Sequence, residues 1–184
     1  MQAQPHPLEP FFQQIVRNNY EGKLGLHDPD LTAYVARLLC EFSESDKLYS
    51  MRDAAGHPIE EIEEMERAAD PILGTAASFD AERTLRKYIG DYSLFVAGMY
   101  PEATGSSRRH RRSNPSRYPS IDELIRAGKE SYFIVSQFNL FEYEQEAPLF
   151  ARLSNSFERL LLGLTLVRED LGPRKPLQLP PRVN

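Results

Sequence analysis

The residues with the most chemical potential form a basic stretch in the middle of the chain, SSRRHRRSNPSRYPS. A guanidinium keeps its charge at any working pH and offers a planar fork of donors that suits phosphate oxygens. No acidic residue interrupts the stretch, so the positive charges reinforce one another. The sequence therefore predicts a contact surface for a phosphate-bearing or acidic partner, formed by Arg108, Arg109, Arg111, Arg112 and Arg117.

Other interpretations of this basic stretch stay open. The simpler interpretation is a solvated loop beside the acidic helix of residues 60–66, and phosphorylation of Ser113 would partly neutralise the stretch. Nucleic acid is the less favoured of the phosphate-bearing ligands. The whole chain has a formal net charge of −5, and one short loop is not the broad basic face that nucleic-acid binding rewards.

A second candidate site consists of polar residues on otherwise apolar helical segments. Asp91 lies beside an aromatic stripe, and Asn139 projects onto the same helical arc as Leu124 and Val135. A buried carboxylate or amide costs several kcal/mol unless it is paired. One interpretation is a tyrosine-lined pocket between helices that binds a small molecule or catalyses a reaction. The other is that tyrosine hydroxyls satisfy these groups inside the core or at an interface. The candidate lining is Tyr88, Asp91, Tyr92, Tyr132, Ser136 and Asn139.

Metal and nucleophile chemistry find little support in the spacing of residues. None of the four histidines belongs to a Glu-x-x-His or His-x-x-x-His spacing, which would place two ligands on one helix face. The single cysteine, Cys40, falls beside Ala33 and Ala36, which favours a close helix contact over a reactive thiolate. The GxSxG, GxGxxG and GKS/T patterns are missing from the sequence. We expect no metal, no cofactor and no catalytic residues.

Composition points to a globular protein. The 184 residues are 41% hydrophobic and 27% charged, which suits one packed domain. One cysteine excludes an internal disulfide, and the first residues lack the basic and apolar regions of a signal peptide. No apolar run approaches the roughly 18 residues of a membrane span. These features predict a soluble cytoplasmic protein.

Apolar residues recur with helical period along the chain, which predicts an all-α bundle of about six helices. Asp28 with Pro29, Ser78 and the Ser120/Glu123 pair are the clearest helix starts. We expect the fourth helix to be central, because it has apolar residues on two sides. The predicted helices span residues 9–19, 28–42, 58–72, 78–99, 120–143 and 146–167.

The remaining segments are predicted connections. Residues 44–57 read as a polar connector with one helical turn, and residues 100–119 as a long loop that carries the arginines. Residues 1–172 then form a single helical domain, and residues 173–184 form an extended proline-rich tail.

These patterns favour a non-enzymatic helical interaction or scaffold protein that forms a homodimer. The first alternative is phosphate or nucleic-acid binding through residues 108–117. The second alternative is a small-molecule-binding protein or an enzyme that uses the tyrosine-lined pocket.

Overall fold

The computed structural model describes residues 6–53, 55–104 and 119–172, without the side chains of Ser45 and Ala103. These residues form eight α-helices and no strand, which confirms the predicted all-α fold. The only sheet-like pairing among them is an isolated antiparallel bridge between Arg52 and Pro58. The helices are α1 (Glu9–Arg17), α2 (Pro29–Phe42), α3 (Ser45–Leu48), α4 (Ile62–Ala68), α5 (Phe79–Met99), α6 (Ile121–Gln137), α7 (Ala147–Asn155) and α8 (Phe157–Asp170).

Three helices begin where the sequence places a capping residue. The Asp28 carboxylate accepts from the backbone N–H groups of Asp30 and Leu31, and the Ser78 hydroxyl accepts from that of Ala81. Ser120 and Glu123 form the reciprocal capping box at the start of α6. Each cap satisfies N–H groups that have no partner within the helix, which explains why these starts are readable from sequence.

Helix α5 forms the centre of the bundle, as predicted. It packs against α6 and α8 and also contacts α2 and α4. Every residue from Ile89 to Met99 is buried, so this half of the helix is covered on all sides. The aromatic and aliphatic residues on both faces of α5 therefore belong to one continuous core.

Two glycines set how closely the central helices approach. A Cβ atom at Gly90 of α5 would lie 2.5 Å from the ring of Tyr132 on α6. A Cβ atom at Gly128 of α6 would lie 2.3 Å from the ring of Phe157 on α8. In both places an aromatic ring occupies the volume of the missing side chain, so any larger residue would push the helices apart.

The end of α1 continues as a π-helical turn, Asn18–Lys23, which ties the N-terminal part of the chain to α8. Tyr20 in this turn is fully buried and donates a hydrogen bond of 2.6 Å to the carbonyl of Leu160. Asn19 and Lys23 both donate to Asp170 at the end of α8. Asn19, Tyr20 and Lys23 therefore anchor the N-terminal part of the chain to one partner helix, α8.

Helix ends account for most differences from the predicted elements. The predicted helix of residues 146–167 is divided at Ser156 into α7 and α8, and the predicted helix of residues 120–143 stops at Gln137. The predicted helix of residues 58–72 shortens to α4, and Ile72 lies 87% exposed in a turn capped by Asp70. In these segments the apolar periodicity of the sequence continues past the end of the helix. Periodicity shows which face of a helix is buried, but it does not show at which residue the helix ends.

Candidate functional site

The predicted polar residues of α5 and α6 converge on one carboxylate, Asp91, which is 3% exposed. Its Oδ1 accepts hydrogen bonds from the hydroxyls of Tyr34 at 2.6 Å and Tyr132 at 2.7 Å. Its Oδ2 accepts one from the Lys87 ammonium at 2.6 Å. We call these four residues the Asp91 cluster. It joins α2, α5 and α6 at one point in the core.

The tyrosines and the lysine around Asp91 keep the protons with which they donate hydrogen bonds. Burial first, and then the Asp91 charge, raise the pKa of Tyr34 and of Tyr132 well above the ordinary value of tyrosine. Burial alone would lower the pKa of Lys87, but the attraction and hydrogen bond of Asp91 outweigh it and the pKa is raised. Both hydroxyls therefore remain donors and the lysine remains charged at neutral pH.

Three donors thus occupy most of the roughly four lone-pair positions of the Asp91 carboxylate. The space beside it, bordered by Arg37, Glu41 and Glu146, measures about 130 Å³. Typical ligand pockets measure roughly 300–1,000 Å³. The interpretation that tyrosine hydroxyls satisfy Asp91 is confirmed by these contacts.

The other predicted pocket residues do not join this cluster. The Tyr88 hydroxyl donates to the Leu48 carbonyl, and the Ser136 hydroxyl donates to the Phe133 carbonyl of its own helix. Tyr92 stacks near Tyr88, with 6.1 Å between ring centroids.

Asn139 was predicted to share the arc of Tyr132, and this prediction is wrong. α6 ends at Gln137, so Asn139 follows the helix and lies exposed. The Asn139 amide is therefore not a buried polar group that requires a partner in the core.

Two members of the Asp91 cluster were missed in the sequence. Tyr34 reads as an ordinary core residue of α2, because nothing local shows that α2 packs beside α5. Lys87 lies four residues before Asp91, the spacing that places a charge pair on one helix face, and this signal was available.

Alkaline pH is expected to weaken the fold through the buried tyrosines. In the unfolded chain a tyrosine loses its proton near pH ~10, whereas burial raises the pKa of Tyr20, Tyr34 and Tyr132 well above that value. Above pH ~10 the unfolded state binds fewer protons, so the free energy of unfolding falls as pH rises. Each of these tyrosines should contribute about 1.4 kcal/mol of this loss by pH ~11.

Urea unfolding at about pH 8 and about pH 11 measures this loss, with Tyr20→Phe as the comparison. The variant lacks one titrating hydroxyl, so its loss between the two conditions should be smaller by about 1.4 kcal/mol. An equal loss in both proteins would show that Tyr20 does not contribute to the pH dependence.

The five arginines of the predicted anion-binding stretch, Arg108 to Arg117, lie outside the described residues, as do residues 173–184 of the predicted tail. Anion binding by this stretch stays a prediction. Within the described residues, no group of three or more histidine, cysteine, aspartate or glutamate side chains could hold a metal ion. Cys40 is buried, and burial raises its pKa, so the thiol is not activated as a nucleophile.

A concavity larger than the one beside Asp91 lies between the start of α5 and the segment that follows α6. It is an open groove of about 560 Å³, which we call the α5/α6 groove. Aromatic and aliphatic side chains dominate its lining: Phe79, Ile134, Phe138, Leu140, Phe141 and Tyr143. The rest of the lining is polar: Asp80, Glu82 and Glu142 with Gln137 and Asn139.

Three large apolar side chains of this groove are turned to solvent. The exposed fractions are 76% for Phe79, 67% for Leu140 and 86% for Phe141. Clustered apolar exposure of this kind is unfavourable for an isolated protein and marks contact surfaces. The α5/α6 groove therefore has the composition of a docking surface.

The backbone at Phe141 is strained. Phe141 has a φ of 54°, the only positive φ among the described residues other than glycines. A residue with a bulky side chain adopts this conformation at a cost of about 1–2 kcal/mol. The strain coincides with the most exposed phenylalanine of the groove, and such outliers cluster at functional positions.

The wall of the groove is held by a buried arginine. The Arg83 guanidinium lies 4.0 Å above the ring of Tyr143 and bonds to Glu146 at 2.6 Å. The Tyr143 hydroxyl donates to Asp80 at 2.9 Å. These contacts fix the segment of Phe141–Tyr143 against α5, so the groove is formed before any ligand binds.

Comparison with known proteins adds no family. No family model, curated protein or solved structure matches this chain. Among the residues that the structure describes, no helix has both the length and the apolar character needed to cross a bilayer.

Proposed function

We propose that this protein is a non-enzymatic interaction protein that binds a partner polypeptide in the α5/α6 groove. The observation that carries the proposal is the exposure of Phe79, Leu140 and Phe141 around one preformed concavity. Polypeptides that dock in apolar grooves insert a few large side chains, and such contacts supply most of the binding free energy. The strained backbone of Phe141 supports the same assignment.

The Asp91 cluster supports the non-enzymatic part of the proposal. It contains the most deeply buried carboxylate among the described residues, and hydroxyl and ammonium donors already satisfy it. Its role in this proposal is to hold α2, α5 and α6 together. The proposal places the protein in the cytoplasm, consistent with its single, buried cysteine.

Self-association is the alternative use of the same groove, and it corresponds to the homodimer predicted from sequence. Exposed apolar grooves pair with a second copy when the two surfaces are complementary. Sedimentation of the wild-type protein at micromolar concentration distinguishes the two. A monomer favours a different partner, whereas a dimer that dissociates when Phe141 is replaced assigns the groove to a second copy.

Groove docking is tested with peptides selected from a displayed library of random 16-residue sequences. We expect Phe141→Ser to weaken the binding of selected peptides at least tenfold, because an aromatic anchor at an interface contributes about 2 kcal/mol. Fluorescence polarisation of labelled peptides measures the dissociation constants. The unfolding free energy of the variant should stay within about 0.5 kcal/mol of wild type, since the ring is 86% exposed.

The matched control is Ile72→Ser. Ile72 is 87% exposed, as exposed as Phe141, but it lies in the turn after α4 and does not line the groove. Its replacement should leave the dissociation constants unchanged. Peptides that bind wild type and Phe141→Ser equally well would contradict docking in the groove.

A further inference from the structure

We infer that the occupant of the α5/α6 groove is a basic amphipathic segment, with large apolar side chains on one face and lysine or arginine beside them. This inference rests on the proposed docking function and adds the chemistry of the partner. It comes from the composition of the lining, in which apolar side chains, here called the floor, lie together with charged side chains of one sign only, here called the rim.

The rim of the groove is acidic. Asp80, Glu82 and Glu142 lie in its lining, and the lining contains no lysine, arginine or histidine. Three carboxylates around an apolar surface create a negative potential that attracts cations and rejects acidic segments. The apolar floor alone does not discriminate between acidic and basic partners. The carboxylates of the rim therefore determine the sign of the charge that the partner carries.

The rim carboxylates form no ion pair within the described part of the chain, although Asp80 accepts a hydrogen bond from Tyr143. Glu82 and Glu142 have no ion pair there, whereas Glu66, Glu102 and Glu158 each contact an arginine or lysine. The two glutamates of the groove keep their charge available for a ligand.

The nearest arginine does not cancel this charge. Arg83 is 8% exposed, lies behind Tyr143 and bonds to Glu146 at 2.6 Å. Its positive charge is therefore matched by a carboxylate outside the groove lining. Arg83 positions the aromatic wall and leaves the rim negative.

The shape of the site favours a polypeptide segment. Apolar side chains come from the start of α5, the end of α6 and the segment between α6 and α7, so a bound segment meets apolar contacts from three parts of the chain. A helix with apolar residues three or four positions apart presents such anchors along one face. Lysines or arginines on its flanks then reach the carboxylates of the rim.

The displayed library also tests the sign of the charge that a bound partner carries. Selection on the wild-type protein, with removal of sequences that bind Phe141→Ser, should enrich peptides of net positive charge with at least two large apolar residues. The double variant Glu82→Gln/Glu142→Gln should bind these peptides about fivefold more weakly at low salt, which corresponds to about 1 kcal/mol for the two exposed charge pairs together. High salt should shrink the difference, because exposed charges are screened.

The control for charge is Glu63→Gln/Glu64→Gln. Both glutamates are exposed on α4 and are not part of the groove lining, so this variant changes the net charge equally. Its peptide affinities should equal those of wild type. If it weakens binding as much as the rim variant, the effect comes from net charge and the inference about the rim is wrong.

The remaining outcomes separate this inference from the proposed function. Neutral or acidic peptides that lose affinity on Phe141→Ser would overturn the basic partner and leave docking intact. Peptides selected on the wild-type protein without this removal step that bind Phe141→Ser equally well would overturn both. A wild-type dimer that dissociates on Phe141→Ser would replace the basic segment with a second copy of the chain.

Discussion

Asp91→Ala is expected to destabilise the protein by about 3 kcal/mol. Removing one partner of a buried charge pair typically costs 3–5 kcal/mol, because the other partners stay behind unsatisfied. Here the hydroxyls of Tyr34 and Tyr132 would lose their acceptor inside the core. The lower end of the range applies because the Lys87 side chain is 35% exposed and can turn to solvent. Urea unfolding at neutral pH measures the change.

Asp80→Ala is the matched control for this prediction. Asp80 lies on the same helix and also accepts a tyrosine hydroxyl, from Tyr143, but it is exposed. Water can replace its hydrogen bond, so its loss should cost no more than about 1 kcal/mol. The destabilisation caused by Asp91→Asn should lie between the values for Asp91→Ala and Asp80→Ala, because asparagine keeps an acceptor of the same shape. Similar values for Asp91→Ala and Asp80→Ala would show that the Asp91 cluster does not hold the helices together.

Gly90→Ala is expected to destabilise the protein by about 2 kcal/mol, although alanine is the better helix former. The added methyl would lie 2.5 Å from the ring of Tyr132, so the ring or the α5/α6 spacing must shift. Overpacking a core costs about 1–3 kcal/mol, and a shifted ring also lengthens the bond from Tyr132 to Asp91. Thermal and urea unfolding both report the loss.

Gly22→Ala separates the packing effect from the helix preference. Nothing lies within 4 Å of a Cβ atom at Gly22, and its φ is not in the left-handed region. This variant should be neutral or slightly more stable, by up to about 1 kcal/mol. If Gly90→Ala behaves like Gly22→Ala, then Tyr132 moves freely and the close approach of α5 and α6 is not required.

Local signals in the sequence were sufficient for the helices themselves. The caps at Asp28, Ser78 and Ser120 and the two-sided apolar pattern of α5 are properties of neighbouring residues, and the structure confirms them. The break at Ser156 has no such signal. Both α7 and α8 continue the same apolar arc, so the sequence shows one helix where the chain forms two.

The two candidate sites were predicted to different degrees for a physical reason. Asp91 and Tyr132 could be paired from sequence, because a buried carboxylate requires donors and both residues face the core of adjacent helices. The contribution of Tyr34 depends on the packing of α2 against α5, which no local pattern encodes. The α5/α6 groove was not predicted. Its exposure follows from the end of α6 at Gln137 and from the left-handed backbone of Phe141, both of which depend on the tertiary structure.

The contacts of Asp91 also bear on how the chain folds. Its partners Tyr34 and Tyr132 lie 57 and 41 positions away along the chain. A partly assembled intermediate without α2 or α6 would expose a carboxylate that lacks one of its donors to a half-formed apolar interior. Such species are poorly populated, so the central helices are expected to form and melt as a single cooperative unit.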